Sequence, residues 1–262
     1  MIGVILALPQ EMGPIRAKVK PLGTLQEEAA AFYPAFLEGQ PLVLARCGIG
    51  KERAKKATER LLKLFKVEAV VSAGFAGGLV EGITAGELIV VRNVLYCHQG
   101  EGPIETFSSY SCHPGLLNLS LRIAQEQGLR AHCGDLVAMD EVVTHPVSKK
   151  RLGETTSALA VDMESLGVAE TARDYTVPFL AIKVVTDEVG QELKAQGLVN
   201  GEGRVRPLKL IYYLLSNPQD IIHLMNLRRQ TKVASENLAL FLSPFVKRYG
   251  EALNSRAYGE NR

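Results

Sequence analysis

The chain has 262 residues, of which 47% are hydrophobic and 22% are charged, a composition typical of one large α/β domain or two small ones. Its 30 basic and 28 acidic residues leave a net charge of +2, so a small-molecule ligand is a simpler expectation than nucleic acid. Single cysteines at 47, 97, 112 and 133 lack the spacing of a zinc site, and no metal or organic cofactor is expected. Without a basic leader or an apolar run of about 20 residues, the sequence favours a cytoplasmic protein.

The N-terminal segment predicts a buried strand from Ile2 to Leu8, ended by Pro9 and followed by a helix over residues 10–20. This places Glu11 in a strand-to-helix turn. In α/β sheets, such turns at the carboxyl ends of strands line the ligand crevice. The alternative is that Glu11 only complements the positive end of the helix.

The next two units combine strands with glycines. Residues 41–50 predict a strand that runs into the glycine turn Gly48–Gly50, and residues 51–65 predict an amphipathic helix. A strand over residues 68–73 is followed by a glycine-rich corner, Gly74–Gly78, and by a second strand over residues 86–91. The corner does not match the GxGxxG or phosphate-loop patterns, so a sugar or an anion held by backbone amides is a better expectation than a dinucleotide or a triphosphate.

The middle of the chain is less regular. Residues 95–111 have the composition of a long loop or lid, in which His98, like His113 just beyond it, is expected to be a surface residue. A helix over 115–127, a strand and loop over 134–143 and a short helix over 146–152 are predicted next. No linker or repeat interrupts the sequence, which favours a single domain over residues 1–262.

Three carboxylates follow predicted strands. A strand over 159–161 leads into a helix over 163–174 that begins near Glu164, and a buried strand over 178–187 ends at Asp187. A parallel sheet with helices on both faces would bring these two residues and Glu11 to one rim. Each could instead be a helix cap or a solvated turn residue, and Asp162 is expected to be structural.

The C-terminal stretch, residues 206–250, predicts two or three amphipathic helices with basic residues on their polar faces. Packing of their apolar faces on the protein's own core or on a partner subunit is favoured over weak contact with a membrane surface.

Four motifs occur in a characteristic order: GIG at 48–50, AGFAGGL at 73–79, VDMES at 161–165 and TDEV at 186–189. With them, about the first 190 residues resemble the purine nucleoside phosphorylase and nucleosidase family, phosphorylase family 1. The resemblance implies a three-layer α/β/α sandwich around a mixed, mostly parallel twisted sheet, here with extra C-terminal helices. It also implies cleavage of N-glycosidic bonds, with transfer of the sugar to water or to phosphate, in a homodimer or a larger assembly.

The resemblance assigns a role to each carboxylate. Asp187 matches the acid that protonates the purine at N7, Glu164 matches the ribose anchor, and Glu11 matches the glutamate that activates water. The other substrate-binding positions implied by the family are Met163, Gly74, Phe75, Ala76, Val142, Val143 and Thr186. Val142 stands where nucleosidases stack adenine on an aromatic ring, and Phe75 replaces a serine.

The choice between water and phosphate depends on two positions. Ser72 stands where phosphorylases of the family carry an arginine, and the carboxylate of Glu11 would repel phosphate. A hydrolase similar to methylthioadenosine/S-adenosylhomocysteine nucleosidase is therefore favoured. AMDEVVTHPVSKKRL, AVDMESLGVAETA and the C-terminal stretch also resemble hopanoid-associated phosphorylases, so phosphate-dependent cleavage of a lipid-linked adenosine is an alternative. A second alternative is a nucleoside-binding protein that does not cleave its ligand.

Overall fold

The computed structural model describes residues 1–98, 105–193 and 221–259, and within these ranges eleven strands form one sheet accompanied by six helices. The strands are β1 (Ile2–Leu6), β2 (Lys20–Pro21), β3 (Leu25–Gln26), β4 (Ala31–Leu37), β5 (Gln40–Arg46), β6 (Ala69–Gly78), β7 (Leu88–His98), β8 (Glu105–Ser111), β9 (Ala131–Ala138), β10 (Ala160–Asp162) and β11 (Phe179–Asp187). The helices are α1 (Pro9–Arg16), α2 (Lys51–Leu64), α3 (Pro114–Glu126), α4 (Pro146–Thr156), α5 (Ser165–Asp174) and α6 (Ile221–Gly259).

The sheet is mixed, as expected, but it is parallel only in part. Its order is β10-β9-β7-β11-β6-β1-β5-β4-β2, and the central strands β5, β1, β6 and β11 run parallel. Strands β7, β9 and β10 form a second parallel set, which joins the first through the antiparallel pair of β7 with β11. Strands β4, β8 and β10 add further antiparallel pairs, so the sheet is parallel in two sets of strands and not throughout. Every residue of β1 and β11 is buried, which explains why these strands read as continuous apolar runs.

A second pairing of β10 brings two distant segments together. Besides its parallel partner β9, β10 pairs antiparallel with the end of β6, through Ala160 with Gly78 and Val161 with Gly77. Because of this pairing, the strands β6, β11, β7, β9 and β10 close into a ring. The turn that follows β10 is thereby placed beside the carboxyl-terminal half of β6.

The segment that contains the end of β7 and the start of β8 differs from the sequence prediction. The predicted loop over residues 95–111 is wrong at both ends, because β7 continues to His98 and pairs with β8 from Glu105 onward. His113 is exposed as expected, and its Nδ1 accepts a hydrogen bond from the backbone N of Gly115 at the start of α3.

The C-terminal part of the chain forms one continuous helix, α6, between residues 221 and 259, where several helices were predicted. Residues 206–220 lie outside the described ranges. The apolar face of α6 is buried in the main core through Ala234, Leu238, Ala239, Phe241, Leu242, Phe245 and Val246. These side chains are therefore not available to a membrane surface. No helix in the described ranges combines the length and the apolar character needed to cross a bilayer.

Candidate active site

The segment Gly74–Gly78 lies inside β6 and does not form the predicted corner after a strand. A methyl group added at Gly74 would lie 2.5 Å from Oε1 of Glu11, and one added at Gly77 would lie 3.0 Å from Oδ2 of Asp187. Two carboxyl groups thus lie against one strand, at glycines three residues apart. With a strand rise of about 3.3 Å per residue, these two glycines are about 10 Å apart along β6. Glycine leaves the space that both carboxyl groups occupy.

Glu11 is 3% exposed and is held by three backbone donors. Its Oε2 accepts hydrogen bonds from the backbone N of Ala7 at 2.7 Å and of Leu8 at 2.8 Å, and its Oε1 accepts one from the N of Phe75 at 2.8 Å. Burial raises the pKa of Glu11, although Lys183 and these N–H groups oppose the rise. Glu11 therefore complements the start of α1 and also reaches across to β6, so its carboxyl group has one fixed orientation.

Glu164 and Met163 form the turn between β10 and α5, and both are partly buried. Oε1 of Glu164 accepts a hydrogen bond from the backbone N of Gly50 at 2.7 Å. Gly50 has a φ of 107°, which favours glycine, so the glycine turn before α2 presents its amide to a carboxyl group. Burial, followed by the neighbouring carboxylate of Asp162, raises the pKa of Glu164 to about 8.

Beneath Glu164 lies a cation that the sequence reading missed, Lys183 of β11, which is 2% exposed. Its Nζ lies 2.8 Å from Oδ2 of Asp162 and donates to Oγ of Ser72 at 3.1 Å. Burial alone would lower the pKa of Lys183, but Asp162 and Glu164 outweigh burial and raise it. Oδ2 of Asp162 also accepts from the N and Oγ of Ser165. A lysine inside the otherwise apolar strand FLAIKVVTD was the available signal.

Asp187 ends β11 and is 4% exposed. The register of β11 against β6 shifts between Val185 and Asp187, so Thr186 is the extra residue of a β-bulge, which re-aims the side chains at the strand end. The hydroxyl of Thr186 donates to Oδ1 of Asp187 at 2.9 Å, and Nζ of Lys149 donates to Oδ2 at 2.5 Å. The hydrogen bond from Thr186 is compatible with the positioning role expected for this residue, whereas Lys149 was not expected at the site.

The remaining candidate positions lie in two places. Phe75 and Ala76 belong to β6, next to the backbone that Glu11 contacts. Val142 and Val143 lie in the loop between β9 and α4, where the side chain of Val142 is 46% exposed and Val143 packs against the cluster that includes Val161.

A pocket of about 380 Å³ adjoins this group of residues. It is lined by Asp140 and by residues 49–53 at the start of α2, so it includes Gly50, whose amide binds Glu164. Asp140 accepts a hydrogen bond from the hydroxyl of Tyr96 at 3.0 Å. The structure thus places open space beside one of the three carboxylates.

Glu11 and Asp187 both lie against the carboxyl-terminal half of β6, and Glu164 lies in the turn after β10, whose first two residues pair with the end of β6. In the ranges that the structure describes, no group of three or more histidines, cysteines and acidic residues is arranged to hold a metal ion. Fold and site together define a mixed α/β protein with a carboxylate-lined site at the ends of central parallel strands.

Residues 1–207 match the Phosphorylase superfamily, and the chain belongs to this family. The resemblance drawn from the VDMES and TDEV motifs is confirmed. A 5'-methylthioadenosine/S-adenosylhomocysteine nucleosidase of Staphylococcus epidermidis is 27% identical over 197 residues, which cover 71% of this chain and 86% of the relative.

Solved structures show the same fold. A 5'-methylthioadenosine/S-adenosylhomocysteine nucleosidase from Neisseria meningitidis, in complex with methylthio-immucillin-A, is 21% identical with a TM-score of 0.74, covering 94% of this chain and 98% of that one. The futalosine hydrolase of Helicobacter pylori is 20% identical with a TM-score of 0.74, covering 94% and 97%. At these identities the similarity establishes the α/β fold alone.

Proposed function

We propose that this protein hydrolyses the N-glycosidic bond of a purine nucleoside, an adenine nucleoside of the methylthioadenosine or adenosylhomocysteine type. Membership of the Phosphorylase superfamily supports this chemistry, and the nucleosidase from Staphylococcus epidermidis supports the substrate class. The protein is therefore an N-glycosidase.

The proposed mechanism divides the work among three carboxyl groups. Bond cleavage gives the ribose oxocarbenium character and leaves negative charge on the purine, so it requires an acid at the base and a nucleophile at the anomeric carbon. Asp187 protonates the purine at N7, Glu164 binds the ribose hydroxyls with Met163 against the sugar, and Glu11 orients and activates water.

The remaining positions would complete the binding site. Thr186 orients the acid, through the hydrogen bond of its hydroxyl to Oδ1 of Asp187. Gly74, Phe75 and Ala76 place the backbone of β6 beside the ligand, and the loop that carries Val142 and Val143 covers the base.

The environment of Glu11 is the observation that favours water over phosphate. Three backbone N–H groups fix this carboxyl group at the side of the site where the nucleophile must lie. Lys183 does stand beside Ser72, the position of the arginine in phosphorylases, but it is paired with Asp162 at 2.8 Å. A phosphate dianion would have to compete with Asp162 for this cation and to approach Glu11, and both requirements oppose its binding.

The reaction can be tested by incubating the protein with methylthioadenosine, adenosylhomocysteine, inosine and futalosine, each with and without phosphate, and separating the products by chromatography. We expect free adenine and free sugar from methylthioadenosine or adenosylhomocysteine without phosphate, and no faster release when phosphate is added. Release of base only with phosphate, together with a sugar 1-phosphate, would establish the phosphorylase alternative. No release from any of the four nucleosides would contradict the proposal and favour a binding protein.

We further propose that the protein is a cytoplasmic homodimer whose layers follow the three-layer sandwich of its family. Resemblance to the family supports both points, and sedimentation velocity would test the dimer. A single monomeric species at micromolar concentration would refute it.

A further inference from the structure

Lys149 lies on the first turns of α4 and its side chain is completely buried. Its ammonium group makes three hydrogen bonds: to Oδ2 of Asp187 at 2.5 Å, to the carbonyl oxygen of Glu188 at 3.1 Å and to that of Gln191 at 2.9 Å. An ammonium group has three N–H donors, so its donor capacity is fully used. The contact with Asp187 joins residues 38 positions apart in the chain.

Stability alone is a weak explanation for this pair. Burying two charges costs several kcal/mol of desolvation, and a hydrophobic pair of similar volume is often as stable or more so. Methionine would fill most of the space of Lys149, which sits on a helix beside the buried residues Leu152 and Gly153. The position nevertheless carries an ammonium group directed at the one carboxyl group proposed to protonate the substrate.

The hydrogen bonds around Asp187 explain what the ammonium group does. Lys149 holds Oδ2, the hydroxyl of Thr186 holds Oδ1, and the plane of the carboxyl group is thereby fixed. On the other sides the carboxyl group meets Gly77, which has no side chain, and the apolar Val161 lies beside the same glycine. The bonds to the carbonyl groups of Glu188 and Gln191 also fasten the segment that follows β11 to α4.

We propose that Lys149 is a positioning residue for the reaction: it orients the carboxyl group of Asp187 toward the purine and ties the segment after β11 to α4. This inference rests on the proposed N-glycosidase function and assigns Lys149 no contact with the substrate. Its effect on the rate should pass entirely through the acid.

A comparison of two leaving groups separates this role from a merely structural one. Adenine leaves methylthioadenosine only with protonation, whereas nitrophenolate leaves p-nitrophenyl riboside without it. If Lys149 acts through Asp187, Lys149→Met should lower kcat for methylthioadenosine by about 100-fold, the range expected for loss of general-acid catalysis, with KM changed less than about threefold. Hydrolysis of p-nitrophenyl riboside should stay within about threefold of wild type.

The matched control is Lys150→Met. Lys150 is the next residue of α4, but its side chain is 59% exposed and pairs with Glu81 on the surface at 3.5 Å. This variant should match wild type on both substrates. An equal fall of both activities in a folded Lys149→Met would overturn the inference, as would wild-type activity on methylthioadenosine.

The variant Lys149→Met leaves the carboxylate of Asp187 buried without its cation and could fail to fold. The double variant Lys149→Met with Asp187→Asn removes both charges and covers this case. If Lys149 acts only through the acid, the double variant should cleave methylthioadenosine at the rate of Asp187→Asn within about twofold. A further fall of tenfold or more would overturn the inference. A wild-type protein that releases no base would instead contradict the proposed function, so the two failures are distinguishable.

Discussion

Replacement of Glu164 by glutamine tests the electrostatics of the site through protein stability. The pKa of this carboxyl group is about 8 against an ordinary value of 4.5, because of burial and the nearby carboxylate of Asp162. Below pH 4.5 the group is protonated in the folded and unfolded states alike and adds no pH dependence. Between pH 4.5 and about 8 the folded protein keeps a proton that the unfolded chain has released, so the folded state loses stability as the pH rises. Above pH 8 the loss is complete.

The size of the effect follows from these two values. A pKa difference of about 3.5, from 4.5 to about 8, corresponds to a ceiling of about 5 kcal/mol at pH 8. Residual contact with solvent and the lost attraction to Lys183 reduce it, and we expect Glu164→Gln to gain about 2 kcal/mol at high pH. Glutamine keeps an oxygen that can accept the hydrogen bond of Gly50. For a chain of this size, the gain corresponds to a rise in Tm of about 4–8 °C.

The assay is thermal unfolding of wild type and Glu164→Gln from about pH 5 to about pH 9, where both forms of the carboxyl group are sampled. The difference in Tm should be near zero at the acid end and grow through neutral pH. Glu170→Gln is the control, since Glu170 lies on α5, the helix that follows Glu164, and makes a partly exposed ion pair with Lys55 at 3.7 Å. Its effect should be small at every pH. A difference for Glu164→Gln that is independent of pH, or a loss of stability at high pH, would refute the reasoning.

Three further variants test other parts of the site. Glu11→Gln should lower base release by about 100-fold while calorimetry still detects binding of the nucleoside; normal turnover would remove Glu11 from the mechanism. Gly74→Ala should lose activity and about 1–3 kcal/mol of stability, because its methyl group would meet Glu11 at 2.5 Å. Gly13→Ala, which has open space around it, should be neutral or slightly stabilising, and equal effects of the two alanines would count against the steric explanation. Lys183→Met should lower the free energy of unfolding in urea by about 3–5 kcal/mol, since it leaves Asp162 buried without its cation; an unchanged midpoint would contradict the pairing.

The sequence predicted the strands and helices whose local pattern of apolar residues matches their burial in the fold. The sequence predicted β1 and β11 because a strand buried on both faces reads as a continuous apolar run. It predicted α2 because a helix buried on one face shows a period of about 3.6 residues. The segment Gly74–Gly78 was predicted as a corner because glycine has a low intrinsic preference for strands. In the fold this segment pairs with β11, and its glycines leave space for carboxyl groups from distant parts of the chain, which local propensity does not encode.

The sequence predicted the three carboxylates of the candidate site but not its two buried lysines. Glu11, Glu164 and Asp187 each follow a recognisable strand, so their common location followed from the rule that ligands bind at strand ends. Lys149 belongs to the sequence SKK, which reads as a solvated helix surface, and only the fold shows that it is buried against Asp187. The two-residue strands β2 and β3 were missed for a related reason, since a pair of exposed residues carries no periodic signal.

Two buried ammonium groups give the site its rigidity. Lys183 is paired with Asp162 beneath the proposed ribose anchor, and Lys149 is paired with Asp187 at the proposed acid. A carboxyl group that is already oriented need not be reorganised when charge develops in the transition state, and this pre-organisation outweighs the modest stability that a buried ion pair supplies. The two pairs belong to different hydrogen-bonded groups, so substitutions in one should be nearly additive with substitutions in the other. The pH-dependent stability of Glu164→Gln and the leaving-group selectivity of Lys149→Met therefore report on the two ends of the site independently.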